Sequence, residues 1–362
     1  MASRTIELMS STEPLRHLLI PGALLPLPAD QLRPPLPQLP HLEQLLRRLK
    51  PSDTIECDEH CPSDPGEIAT ARALGLPSAP GRIPWAALES GTMGTPCAWL
   101  MPCHWQLGMD HVLLADSAHL QLTEDASRRL LAAAAPLLLD DGMEVRYVRA
   151  NAWLAQGEVF RDLTTWSMSR AMGRRLTPDL LASTPAPSHA ALLRRLQSEL
   201  QMLFYTHPVN DERESARQLP INALWISGAG VLTVEPPPKP EILVENGLIL
   251  TEQELAGASL TQAIAAHHEA WRAIDADAGA HLLSALKAGH DVRLTLCGPR
   301  RALSFESNQQ GKGLISRILD LLPGRSGSLE KHPLGESQTL PDKGAWGSLF
   351  NRQTLTDLVT KL

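Results

Sequence analysis

No run in this 362-residue chain approaches the roughly 18 consecutive apolar residues that a membrane-crossing helix needs. The apolar stretch at residues 17–27 (HLLIPGALLPL) is broken by Pro21 and Pro26, and neither a basic segment nor a small-residue cleavage site marks a secretory leader. Basic character is scarce as well. The 33 Lys and Arg stand against 40 Asp and Glu, a formal charge of −7, which argues against a dedicated nucleic-acid face. Cysteine is sparse and odd in number: five thiols in so long a chain fit a reduced, cytoplasmic protein better than a disulfide framework. No internal repeat and no heptad array is visible.

What is present is ordinary for a globular protein. Hydrophobic residues make up 43% and charged residues 20%, which excludes wholesale disorder. Hydrophobic spacing predicts helices at residues 41–49, 69–74, 84–88, 125–139, 188–205, 259–274 and 279–286. In the helix at 188–205, Leu192, Leu193, Leu196, Leu200, Leu203 and Phe204 form one apolar stripe. Thr123 caps the helix at 125–139, and Asp64-Pro65-Gly66-Glu67 is a helix start. Strands are predicted at 16–25, 98–101, 112–115, 144–149, 151–160 and 221–226, with 120–122 as a further extension. A hairpin is predicted from 291–296 and 302–305 around Gly298-Pro299. Residues 53–64 read as an acidic turn, 207–218 as an exposed charged loop, 313–321 as a short helix and 352–362 as a last helix. Strand, helix, turn and strand in alternation imply an α/β fold, a mixed sheet flanked by helices, with a smaller C-terminal α+β region. Residues 1–234 are expected to form the main domain. Residues 235–240 (EPPPKP) are expected to be a proline-rich linker, and 241–362 a smaller region of helices and a hairpin.

Reactive side chains concentrate in residues 95–116 (TPCAWLMPCHWQLGMDHVLLAD). Cys57, His60 and Cys61 with Cys97, Cys103 and His104 are zinc-ligand types, but no Cys-x2-Cys pair exists and the two groups are far apart in sequence. Cys103-His104 could be a nucleophile and base, although adjacent residues on an extended chain face opposite ways, so a distal partner such as His111 or His207 would be needed. Asp110, His111 and Asp116, with His207, Asp211 and Glu212, are the residue types of a two-metal phosphoryl-transfer site. The plain reading is that Asp110 caps a turn and His111 makes a buried hydrogen bond. Ser227-Gly228-x-Gly230 after a strand lacks the Lys of a P-loop and the third Gly of a dinucleotide turn, and reads as a tight turn. Arg161, Arg170, Arg174 and Arg175 could bind an anion, or form a solvated helix face.

Residues 84–88 (PWAAL), 102–112 (PCHWQLGMDHV) and 200–227 (LQMLFYTHPVNDERESARQLPINALWIS), followed by Gly228 and Gly230, resemble the proteobacterial RpfE-type regulatory proteins. Many of those are labelled cofactor-independent phosphoglycerate mutase. Residues 17–28 (HLLIPGALLPLP) and 153–158 (WLAQGE) match the same pattern, so the resemblance covers about residues 15 to 235. It implies a part in controlling extracellular enzymes and pathogenicity factors, through a ligand pocket or partner surface. The chain departs from the mutase pattern, whose first strand ends in Asp, because here the strand runs into Ile20-Pro21-Gly22-Ala23. The two strongest parts of the pattern suggest one site. Its candidate residues are Cys103, His104, Trp105, Asp110, His111, Tyr205, His207, Asn210, Asp211, Arg213, Trp225 and Ser227. No cofactor is implied, except a divalent metal if the phosphoryl-transfer alternative holds at Asp110, His111, Asp116, His207 and Asp211. The partner is expected to be a protein or small molecule.

Overall fold

A computed structural model describes residues 14–25, 34–108, 111–115, 120–172, 174–177, 183–236, 239, 241–245, 248, 260–307 and 354–362. The helix predicted at 313–321 lies outside these residues.

Three sheets organise the described chain. In the first, β1 (His17–Ile20) lies between β9 (Ile242–Val244) and β10 (Arg293–Cys297), parallel to both. β11 (Arg301–Glu306) returns antiparallel to β10 as the expected hairpin, and β2 (Lys50–Glu56) pairs antiparallel with β11 at the edge. Strands from both sides of residues 235–240 therefore share one sheet. In the second, β3 (Cys97–Cys103) is flanked by β7 (Ala152–Gln156) and β8 (Ala223–Gly230), and β6 (Glu144–Arg149) pairs with β7, all antiparallel. A small ribbon joins β4 (Trp105–Leu107) to β5 (Val112–Leu114). The fold is thus mixed α/β, with a mixed sheet flanked by helices.

The two-residue period of the strands decides which core each side chain enters. Leu18 and Ile20 point into one cluster with α1 (Pro40–Leu46), α8 (Leu260–Ile274), α9 (Ala280–Lys287) and α10 (Leu355–Val359). Leu19 points the other way, into a cluster shared with α2 (Pro65–Leu74), α3 (Trp85–Ser90) and Cys97, Trp99, Ala152 and Leu154 of the second sheet. The opposite side chains of that sheet, Ala98, Leu100, Trp153 and Ala155, meet α4 (Glu124–Asp140) and α6 (Pro187–Tyr205). Helices, sheet, two short helices, sheet and helices thus form successive layers.

Local signals place several helix ends. The Thr123 hydroxyl accepts from Ala126 N (3.2 Å), and Glu67 reaches back to the Asp64 amide (3.0 Å). Gly75 ends α2 at φ +78.

Four expectations are corrected. Residues 53–64 begin as a strand: β2 exposes most of its side chains and buries Ile55, so its sequence lacks the alternation that marks a half-buried strand. Residues 207–218 contain a helix, α7 (Pro208–Ser215). β8 does not turn at Ser227 but runs to Gly230. At Gly228, with φ +62, a Cβ would stand 3.0 Å from Trp85 Cβ, so glycine lets α3 pack against the strand. Residues 120–122 are not a strand, and Gln121 has φ +44.

Candidate functional site

The two halves of the sequence pattern meet at residues 219–222, which lie between α7 and β8. From one side, His104 Nδ1 stands 2.8 Å from the Pro220 carbonyl. A carbonyl only accepts, so Nδ1 carries the ring hydrogen. Trp105 N donates to Asn222 Oδ1 (2.6 Å), Asn222 Nδ2 donates to Trp105 O (3.0 Å), and Asn222 N donates to Cys103 O (3.1 Å). From the other side, Asn210 Nδ2 donates to the Phe204 and Ile221 carbonyls (2.7 Å each), and its Oδ1 accepts from Ile221 N (2.8 Å). Arg213 Nε donates to Leu219 O (2.8 Å), and its guanidinium also bonds the Leu120 carbonyl. Asn210 and Arg213 are both buried. Burial lowers the Arg213 pKa from its ordinary value.

Cys103, His104, Trp105, Asn210 and Arg213 are thus joined through four successive residues. Trp225 completes the group: it is fully buried in a cluster with Cys103, Leu114, Ala171 and Ala223, and its indole N–H donates to Trp166 O (3.0 Å). Burial pushes the Cys103 thiol pKa well up, partly offset by the nearby Trp105 indole, so the sulfur is a neutral thiol at physiological pH. His104, bonded away to Pro220, is not its base.

The remaining candidates lie apart or have local roles. His207 caps α7, its Nδ1 accepting from Val209 N (3.2 Å). Burial lowers its pKa, as does the Arg129 guanidinium, while Glu212 opposes them. Arg129 grips Glu212 with two bonds (2.8 and 2.6 Å), tying α4 to α7. Asp211 is exposed, and Tyr205 is 78% exposed. Ser227 pairs with Trp99 within the second sheet. The His111 imidazole lies against Gly108, at the end of the ribbon that Gly108 N and His111 O close (2.7 Å). Asp110 and Asp116 lie outside the described residues. Among the described residues, no group of three or more His, Cys, Asp and Glu side chains is placed to hold a metal ion.

Two features were not singled out in the sequence. Asn222 carries no sequence signal beyond its turn-prone type, although it binds both backbone groups of Trp105. The second is an acidic cluster at the start of α2. Asp64 accepts from Ser169 Oγ (2.5 Å) and lies 3.9 Å from the Arg170 guanidinium. Burial raises the Asp64 pKa, against the effects of Ser169 and Arg170. Burial and the adjacent Asp64 push Glu67 up to about 8. Arg170, expected on a solvated face or at an anion site, is instead buried in α5 (Met168–Ala171). Its guanidinium donates to the Cys61 and Pro299 carbonyls (3.1 Å each) and to Asp58 O. Arg161 pairs with Glu158 in solvent, and Arg174 bonds Glu59 O while lying over the Trp166 ring.

A carboxyl whose folded pKa is raised favours the folded state below its unfolded pKa and ceases to do so as pH rises through the folded value. Glu67 should therefore make wild-type stability decline across the interval from 4.5 to about 8. Glu67→Gln is expected to flatten that decline. Urea unfolding at several pH values checks this, and parallel pH profiles for the two proteins would count against it.

No family model matches the chain, and no curated protein matches it. Among solved structures, it is similar to a cofactor-independent phosphoglycerate mutase from Thermoplasma acidophilum, with 17% identity and a TM-score of 0.33. That match covers 82% of this chain and 90% of the other. It is also similar to the PH0037 protein from Pyrococcus horikoshii, with 11% identity and a TM-score of 0.41, covering 81% of this chain and 87% of that one. Among the described residues, no helix is long and apolar enough to cross a membrane.

Proposed function

We propose that the chain is a regulatory protein of the RpfE type that acts through a partner surface. The regulatory part of this reading rests on the sequence resemblance, and the observation that supports a surface rather than a reaction site is the bonding at residues 219–222. His104, Asn210 and Arg213, polar side chains of the pattern, and Asn222, which only the structure reveals, are all bonded to main-chain atoms and hold segments together. This is how a protein shapes a surface. Beside the bonded segments, the last turns of α6 present Met202 and Tyr205, 66% and 78% exposed, three residues apart and so on one face of the helix. Exposed apolar and aromatic side chains of this kind are the anchors a partner protein uses.

The test is genetic and biochemical together. Deletion in the source bacterium should lower extracellular enzyme output, and the wild-type gene should restore it. A Met202→Ser, Tyr205→Ser double variant should fold, accumulate normally and fail to restore output. The runner-up reading, phosphoryl transfer, is checked on the purified protein with manganese and a phosphoglycerate. Sustained interconversion, or full restoration by the double variant, would overturn the regulatory reading.

A further inference from the structure

We propose that Cys57 and Cys61 form a reversible thiol-modification site, closing to an intramolecular disulfide by exchange with a low-molecular-weight disulfide of the glutathione type. The two sulfurs lie 3.1 Å apart, on the loop that leads from β2 into α2. A disulfide bond is about 2 Å long, so closure asks the sulfurs to approach by about 1 Å. The loop is already turned toward this geometry: Cys61 N donates to Asp58 O (3.3 Å), and Cys61 Sγ lies 3.2 Å from the Ser63 carbonyl.

The two thiols differ in access, and that fixes the order of events. Cys61 is partly exposed, whereas Cys57 is buried. The Cys61 thiolate attacks one sulfur of glutathione disulfide, forming a mixed disulfide and releasing one glutathione. The Cys57 thiolate then attacks the Cys61 sulfur, forming the intramolecular bond and releasing the second glutathione. Two cysteine thiols are oxidised, one glutathione disulfide is reduced to two thiols, and the two protons pass to them. Burial and the adjacent Cys61 push Cys57 up to about 12, so the second step relies on proximity and quickens as pH rises. Cys97, Cys103 and Cys297 are buried, so a low-molecular-weight disulfide in solution meets the partly exposed Cys61 first.

Closure has a path to the rest of the molecule. The Cys61 carbonyl is an acceptor for Arg170, which also holds the Pro299 carbonyl in the β10–β11 turn, and Arg174 holds the Glu59 carbonyl. Moving the loop therefore moves the contacts of α5 and of Trp166 beside it. Intracellular disulfides are typically transient and redox-sensing, which fits a chain whose other thiols are enclosed.

The test equilibrates the full chain across a series of glutathione redox buffers, quenches by alkylation in denaturant and maps peptides by mass. The expected result is a single linked peptide joining Cys57 to Cys61, reversed by dithiothreitol. Cys61→Ser should abolish it, and Cys57→Ser should stop at a mixed disulfide on Cys61. If Cys57 remains alkylatable across the whole series, or the wild-type end point is glutathione on Cys61, the proposal is overturned. The linked peptide is read on the wild type alone, so a variant that fails to fold does not remove the test.

Discussion

Replacing Arg170 by alanine is expected to remove about 3–5 kcal/mol of folding stability, the range for breaking a buried charged interaction from one side. The buried guanidinium joins three segments that are remote in sequence: the loop before α2 through the Asp58 and Cys61 carbonyls, the β10–β11 turn through Pro299, and its own short helix α5. Alanine removes the guanidinium donor from the Cys61 and Pro299 carbonyls and leaves Asp58 O with the Cys61 amide. It also removes from Asp64 and Glu67 a positive charge that opposes the rise of their pKa values, leaving Arg174 near Asp64. Their folded-state pKa values should rise further above the unfolded ones, so the variant should lose still more stability toward alkaline pH. Lysine is expected to recover only part of the loss, because one ammonium cannot reproduce the planar fork that reaches three carbonyls. Urea unfolding of wild type, Arg170→Ala and Arg170→Lys measures this. An unchanged midpoint for the alanine variant would show that the arginine is not structural.

Where local chemistry decides an element, the sequence shows it. β3 sends alternate residues to opposite cores, α6 buries Leu193, Leu196, Leu200 and Phe204 on one stripe, and Thr123 caps α4. The misses have a shared physical cause. β2 is an edge strand with both faces largely solvated, and its partner β11 lies some two hundred and fifty residues along the chain, so neither period nor proximity reveals it. α7 buries only Val209, Asn210 and Arg213, and two of those are polar residues that bond to the main chain. A hydrophobic pattern cannot register a helix held by polar side chains. Arg170 was misplaced for the same reason, since its acceptors are carbonyls and leave no mark on residue identity. At the candidate site, the resemblance drew attention to stretches that lie side by side in the fold. The way they join depends on Asn222 and on the carbonyls of residues 219–221.

Asn210→Ala should be the most damaging change within that junction, at about 3 kcal/mol, because it leaves buried backbone groups unpaired. One carboxamide serves the carbonyl of Phe204 at the end of α6 and both backbone groups of Ile221, where the chain enters β8. The methyl group of alanine can replace none of these bonds. Asn222→Ala removes the two bonds to Trp105 at a less enclosed position, and about 1 kcal/mol is expected there. Because Ile221 lies between the two, the junction should behave as one unit, with a double-mutant coupling of at least about 0.5 kcal/mol. Independent sites would give additive losses. Urea unfolding of the two single variants and the double variant supplies the cycle, with an unchanged slope confirming that the same transition is compared. A partner surface shaped by this junction would also lose definition in Asn210→Ala. Under the proposed regulatory role, that variant should therefore fail to restore output at temperatures where most of it remains folded, while Asn222→Ala retains more.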